Sequence, residues 1–412
     1  MPEIYAAIDI GTTKVCTLVA QYQDHELEVI GVGIAPAHGM QKGMVVNIDD
    51  AADAIRTSVQ RAERTSGRRI GSALVGITGT HITSVTNTGS ITITRPDRLV
   101  SDEDLDRVIE TARTTVAIPA NREIIHVIPR SFTLDGQDNL QNPVGLHGFR
   151  LDVEAHIITG AISSIQNLTK CLDQVGVRVE NLVLEPLASG EAVLSIDEKE
   201  AGVALVDIGG GTTDVAVYAN GSVCYTAVIP VGGNQFTQDL VIGLRTPQAA
   251  AEDAKIRLGS VDAASVPSDD SIELSVFGHG EKRQVPRRLM NEILRARALE
   301  LVELTREALV RSGHHALLPA GVVFTGGCAN LQGFLDLAED VLQAPVRLGV
   351  PEGITGLTDT VTGPAYATAV GLVRWGQRFE GAATETEAPG FDLAGVFRNL
   401  LDMVRARFTD IR

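Results

Sequence analysis

Two stretches of this chain carry the same pattern. Ala6-Ala7-Ile8-Asp9-Ile10-Gly11-Thr12-Thr13-Lys14-Val15 stands near the start, and Ala204-Leu205-Val206-Asp207-Ile208-Gly209-Gly210-Gly211-Thr212-Thr213-Asp214-Val215 in the middle. Each is an apolar run ending in Asp, then a Gly/Thr turn, then a second apolar run, which reads as two strands joined by a tight turn. Such a turn offers backbone N–H groups and hydroxyls, and glycine lets the backbone come close to a ligand. Clustered N–H donors form a concave anion site. The neighbouring carboxylates, Asp9 and Asp207, suit Mg²⁺, usually through water. One such turn is an ordinary hairpin. Two copies predict a duplicated fold whose halves grip one phosphate tail from both sides.

Composition narrows the partners. A chain of 412 residues holds about two to four domains or subdomains. Its 44% hydrophobic content fits a globular α/β protein. Aromatics are only 4%, which disfavours stacking of bases on aromatic platforms. The net charge of −17 excludes generic nucleic-acid binding, which needs a basic footprint, and predicts repulsion of the body by anionic lipid. Cys16, Cys171, Cys224 and Cys328 are scattered without a CxxC pair, so they read as small core residues in a reducing cytosol. The histidines show no metal-ligand spacing. The Met1-Pro2-Glu3 start has no signal-peptide character, and no apolar run approaches a membrane-spanning length. A cytoplasmic protein is expected.

Residues 4–10, 15–21 and 28–33 predict strands, and 51–66 a helix stopped by Gly67. Residues 84–159 change character, with alternating Ile91-Thr92-Ile93-Thr94, a helix opened by Ser101 with Asp104 three residues on, and a strand over 123–133. They read as an inserted α+β subdomain. The predicted divisions are 1–83 for the first-lobe core, 84–163 for the insert, and 164–201 for the connection. Then come 202–245 for the second-lobe core, 246–320 for its outer subdomain, and 321–379 for the return. A helix is expected from a Thr246 N-cap with Pro247 at its first position, and a long one over 287–312. Residues 262–286 read as strand-poor apart from 271–277, and a helix is expected from Asn330.

The end of the chain differs again. Residues 380–390 are short, acidic and without apolar anchors, and read as a mobile linker. Residues 391–412 place Leu393, Val396, Phe397, Leu400, Leu401, Val404 and Phe408 at helical spacing, beside Arg398, Arg405, Arg407 and Arg412 and the acids Asp392, Asp402 and Asp410, a side-chain charge of 4 − 3 = +1. Each arginine near anionic lipid is worth about 1 kcal/mol, so the apolar stripe would supply most of the binding. The segment reads as a reversible membrane-surface anchor.

Other constellations bear on the phosphate site. Lys14 can neutralise phosphate as a point cation. Gly326-Gly327, between a buried strand and a helix, suits an adenine or ribose lying against bare backbone. Glu252 and Lys255 lie one helical turn apart after Gly232-Gly233-Asn234, and read either as an ion pair or as ribose contacts. Glu185-Pro186 falls where the halves join, so Glu185 either orients water toward a γ-phosphate or caps the next helix.

The two turns, the Glu185-Pro186-Leu187-Ala188-Ser189 connection and Gly326-Gly327 resemble the actin/Hsp70/sugar-kinase ATPase superfamily. Within it the chain resembles the FtsA family of bacterial cell-division proteins over nearly its whole length. The stretches that carry this include Ile125-His126-Val127-Ile128-Pro129, Asn142-Pro143-Val144-Gly145, 183–194, 202–217, 228–234 and 246–255. The resemblance implies an actin-like duplicated two-lobed ATPase fold with an inserted subdomain and a tethered C-terminal amphipathic helix. It implies ATP and Mg²⁺ as cofactors. Gly11, Thr12, Thr13, Lys14, Gly209, Gly210, Gly211, Thr212 and Thr213 would bind phosphate, with Asp9 and Asp207 near the metal. Asn234, Glu252, Lys255, Gly326 and Gly327 would line the adenosine site.

The implied partners are the C-terminal peptide of FtsZ, further copies of the chain, later division proteins and the anionic inner membrane at the division site. An acidic FtsZ peptide would want cations on the subdomain holding 287–312, and Arg287 and Arg297 are the candidates. The tail departs from the family in lacking Trp and Lys. A small-molecule kinase of the same superfamily would need an acceptor pocket with a general-base Asp, and no polar cluster for one is evident. A heat-shock chaperone would need a further peptide-binding domain. Rod-shape and pilus-assembly actin homologues share the expected fold but not the insert and tail together.

Overall fold

The computed structural model describes residues 3–264, 266–267, 269–277, 282–314 and 318–379. The first repeat folds as strands Glu3–Ile10 and Lys14–Gln23, with Ile10 opposite Val15 and the Gly11 N–H donating to the Lys14 carbonyl at 3.0 Å. The second folds as Val203–Ile208 and Thr213–Ala219, with Ile208 opposite Thr213 and the Gly209 N–H donating to the Thr212 carbonyl at 2.9 Å. The two hairpins are extended alike. One sheet runs Glu26–Pro36, Lys14–Gln23, Glu3–Ile10, Ser72–Ile77, Arg178–Leu184, with the short Thr355–Gly356 added as a sixth, edge strand beside Glu26–Pro36, and the other runs Ser222–Ile229, Thr213–Ala219, Val203–Ile208, Val322–Thr325, Val346–Leu348. In both, the first three strands are antiparallel and the last two join in parallel. This is the duplicated two-lobed α/β fold that the repeated phrase predicts.

Parallel strands need crossover connections, which helices supply. Helix Ile48–Ser66 starts where the Asn47 side chain accepts from the Asp49 and Asp50 N–H groups, and it stops at left-handed Gly67. Helix Ile162–Val175 stops the same way at Gly176. Because the parallel strands point one way, Ile10, Ile77 and Leu184 deliver Gly11, Thr78 and Glu185 to one end of their sheet. Ile208 and Thr325 deliver Gly209 and Gly326 in the other lobe. These ends face each other across a cleft.

The insert is a four-stranded antiparallel sheet in the order Thr83–Thr92, Arg150–Ala161, Arg122–Leu134, Gln137–Leu140, with helix Asp102–Thr115 on one face. The Asp104 carboxylate accepts from the Ser101 N–H at 3.0 Å, which fixes the helix start. The insert touches both lobes. His126 Nε2 accepts the Leu184 N–H at 3.0 Å in the first, while in the second Ser84 donates to the Thr226 carbonyl at 3.2 Å and His156 pairs with the Thr226 hydroxyl at 3.0 Å. Burial lowers the pKa of both histidines, to about 3 for His126 and about 4 for His156, so both are neutral.

Several expectations are corrected. Pro247, not Thr246, is the N-cap of helix Gln248–Leu258; the Thr246 hydroxyl donates instead to the Ser275 carbonyl at 2.6 Å. A strand at Lys282–Pro286 pairs with Ser271–Ser275, although its own sequence has no apolar alternation. A 3-10 turn at Gly327–Asn330 precedes helix Phe334–Leu342, because Gly333 interrupts what reads as one helix. The predicted membrane helix over 391–412 lies outside the described residues. Among the described residues no helix is long and apolar enough to cross a membrane.

Candidate functional site

A cleft of about 260 Å³ opens between the lobes. Its lining includes Gly11, Thr12, Thr13 and Lys14 from the first turn, Gly209, Gly210, Gly211 and Thr212 from the second, and Asp9, Asp207, Glu185, Asn234, Glu252, Lys255, Gly326 and Gly327. Thr213 stands apart, since its hydroxyl donates to the Val231 carbonyl at 2.8 Å. The turns meet face to face. A Cβ on Gly210 would overlap the Thr13 hydroxyl, and one on Gly211 would press on Thr12 and the Lys42 backbone. Glycine is needed here for the approach of one lobe to the other.

Four carboxyls gather around these turns: Asp9, Asp207 and Asp214 are buried and Glu185 is half-buried. Asp207 accepts from the Ser189 hydroxyl at 2.5 Å and from Thr368 at 3.2 Å. Asp214 accepts from Thr212 at 3.2 Å and from Thr78, a hydrogen bond that crosses the cleft. Lys14 lies 3.8 Å from Asp9, donates to the Ala365 carbonyl and sits over the Tyr366 ring at 4.6 Å. Burial raises every one of the four. Asp9 rises to about 6, with Lys14 opposing and Asp207 adding; Asp214 rises to about 7, with its hydrogen bond from Thr78 opposing. Glu185 is pushed well up by burial and then by Asp9, Asp214 and Asp207. Carboxyls gathered this way are matched by protons or by a bound cation. Among the described residues no three His, Cys, Asp or Glu side chains form a ready ligand set. The donors therefore fit a hydrated divalent ion carried on phosphate better than one bound directly by protein.

On the outer side of the cleft, helix Gly233–Leu244 begins with the Gly233 and Asn234 N–H groups on the Gly209 and Gly210 carbonyls, at 2.9 and 2.8 Å. Lys255 and Glu252 form the ion pair that their spacing allows, at 2.8 Å. Lys255 also donates to the Gly233 carbonyl at 3.0 Å, and Glu252 accepts from Thr237. Both still line the cleft.

Nothing in the sequence alone gives Thr78, Asp214, Ser189 or Thr368 a role. Asp214 has a signal, a charged residue at the entry to an apolar strand; the other three have none. Arg287 and Arg297 do not stand free for an acidic peptide. Arg297 is gripped by Asp239 at 2.6 and 3.0 Å and by Glu300 at 2.6 Å, and Arg287 pairs with Asp270 at 3.2 Å.

The cluster predicts a pH dependence. Were the cleft to take a phosphate ligand together with a divalent cation, binding would favour ionised carboxylates, and affinity would rise with pH through about 6 and about 7 and then level off. The gain between pH 5 and 8 is expected to be about ten- to a hundredfold, and titration of the Asp214→Asn protein should lose the upper limb. A flat profile would show that these groups do not change charge on binding.

Two family models match the chain: "Cell division protein FtsA" over residues 204–371 and "SHS2 domain inserted in FTSA" over residues 79–159. The chain is 41% identical over 375 residues to the cell division protein FtsA of Pseudomonas aeruginosa, spanning 91% of this chain and 89% of that one. It is 40% identical to the Neisseria meningitidis FtsA, spanning 93% and 92%, and 39% identical to the Bacillus subtilis FtsA, spanning 91% and 84%. Among solved structures the fold is similar to the PilM-PilN type IV pilus biogenesis complex, with TM-score 0.64, 16% identity, and coverage of 90% and 97%. It is also similar to MreB5 of Spiroplasma citri bound to ADP, with TM-score 0.51, 14% identity, and coverage of 89% and 95%.

Proposed function

The chain belongs to the FtsA family of cell division proteins, and on that premise we propose that it is an ATP-binding actin-like scaffold that tethers FtsZ polymers to the cytoplasmic face of the inner membrane. In this reading it self-associates and recruits later division proteins. The observation that carries it is the pair of matching Gly/Thr turns facing each other across the cleft. The fold is shared with MreB5, whose solved structure is bound to ADP, and this supports a nucleotide as the ligand.

The turns would donate backbone N–H groups and the Thr12 and Thr13 hydroxyls to phosphate oxygens from both sides. Lys14 would add a point charge. Asn234, Glu252, Lys255, Gly326 and Gly327 would hold the adenosine. Asp9 and Asp207 would hold Mg²⁺ through its water shell. When bound, the ion supplies positive charge to the phosphates. Glu185 opens helix Glu185–Val193 beside Asp9 and would be the carboxyl that orients a water. Burial and the neighbouring Asp9, Asp214 and Asp207 raise its pKa.

Closure of the lobes around a nucleotide would then set the state that assembles. Residues 391–412 would hold the assembly at the membrane, and the FtsZ peptide would dock on the outer subdomain. The test is co-sedimentation with anionic vesicles, with ATP and an FtsZ C-terminal peptide, of the full chain against one ending at Glu380. The full chain alone is expected to pellet and to carry the peptide. If both proteins stay in solution, the tether reading fails.

A further inference from the structure

Exposed arginines collect at the end of the first lobe opposite the cleft. Arg64 lies in the last turn of helix Ile48–Ser66, Arg68 and Arg69 follow Gly67, and Arg178 opens strand Arg178–Leu184. The Arg178 N–H donates to the Gly71 carbonyl at 2.9 Å and Arg178 pairs with Ser72, so the turn and the strand start lie side by side. All four arginines are exposed, and none makes an ion pair among the described residues. On helix Arg287–Arg311, by contrast, Arg288, Arg297 and Arg306 are each matched by a carboxylate. Two acids lie among them, Glu63 accepting the Ile70 N–H at 2.8 Å and Glu180 accepting the Ser72 hydroxyl, so four arginines against two acids leave a formal charge of 4 − 2 = +2. In a chain of net charge −17, such a patch is the part of the lobe an anionic surface would attract.

The chain leaves the described body at this same end. Helix Ala367–Phe379 begins at the cleft, where Thr368 bonds Asp207, and runs down the lobe until Gly376 packs on Leu74 and Tyr5. Those two residues lie in the starting halves of strands Ser72–Ile77 and Glu3–Ile10. Residues 380–412 continue from Phe379. Fully extended, residues 380–390 reach at most about 40 Å, so a lipid-bound segment beyond them keeps this end of the lobe near the lipid.

We propose that Arg64, Arg68, Arg69 and Arg178 form a second membrane contact, which seats the end of the first lobe on anionic lipid headgroups once the tail has bound. The proposal rests on the tail reading above. Arginines this close to headgroups attract their phosphate oxygens as fixed positive charges. Their attraction fades over about 8–10 Å at ordinary salt, so it acts only on a body already tethered. The contact orients the molecule: the nucleotide cleft, at the other end of the strands, faces away from the membrane.

The test uses full-length protein and vesicles of phosphatidylcholine with and without phosphatidylglycerol. The R64Q/R68Q/R69Q/R178Q protein is expected to bind the phosphatidylglycerol vesicles about tenfold more weakly, since each arginine close to the surface is worth about fivefold and not all four reach it. Its binding should also respond less to salt. The matching Arg→Lys protein keeps the charge and is expected to stay within about twofold of the parent, with thermal midpoints unchanged in both. A third protein, L400D/L401D, tests the tail alone and is expected to lose binding. If the Gln protein binds like the parent while L400D/L401D does not, the arginine contact is overturned and the tail reading stands. If L400D/L401D binds like the parent, the tail reading is overturned, and with it the tethered seating proposed here.

Discussion

Replacing Asp207 by alanine is expected to weaken Mg²⁺–ATP binding by about a hundredfold, or about 2.7 kcal/mol, and to weaken self-association with it. Asp207 ends the buried strand Val203–Ile208, and its position is fixed by hydroxyls from two helices, Ser189 and Thr368. A carboxylate so held is preorganised toward a hydrated cation, and its loss also leaves two buried hydroxyls without their acceptor. The sign should invert when Mg²⁺ is withdrawn. Without a cation the Asp207 charge only repels phosphate, so the alanine protein should bind metal-free ATP as well as the parent or better. Titration of a fluorescent ATP analogue with and without Mg²⁺ separates the two cases. Equal affinity of parent and variant in Mg²⁺ would remove Asp207 from the metal site.

The second large effect is expected at Gly371→Val. Helices Glu185–Val193 and Ala367–Phe379 cross at Gly371, where a Cβ would overlap the Ala188 carbonyl. Backbone cannot yield as a flexible side chain does, so the helices would have to separate, at a cost of about 2–3 kcal/mol. The thermal midpoint should fall by several degrees. Both helices also carry residues of the cleft, Glu185 on one and Thr368 on the other. Nucleotide affinity should therefore fall as well, unlike in a variant whose lesion is confined to the far end of either helix. An unchanged midpoint would mean that the helices do not cross this closely.

How much was legible follows from sequence distance. The two hairpins were, because Asp, Gly and Thr act on neighbours within one turn, and a four-residue link fixes the pairing of Ile10 with Val15 and of Ile208 with Thr213. Helix ends at Gly67 and Gly176 and the start at Ser101 were legible for the same reason. The strand Lys282–Pro286 was not, since its conformation is set by its partner rather than by its own pattern. Nor was the pairing of Arg297 with Asp239, 58 residues away, which makes a cation that looks available an occupied one.

The sequence by itself determined the duplication, the Gly/Thr turns with Asp9, Asp207 and Lys14 beside them, and the family, since these are written in contiguous residues. Only the tertiary structure decided what completes the cleft: Ser189 and Thr368 on Asp207, and Thr78 reaching across 136 residues to Asp214. It alone also raised the carboxyl pKa values, because burial and mutual repulsion arise only when lobes far apart in sequence close on one another.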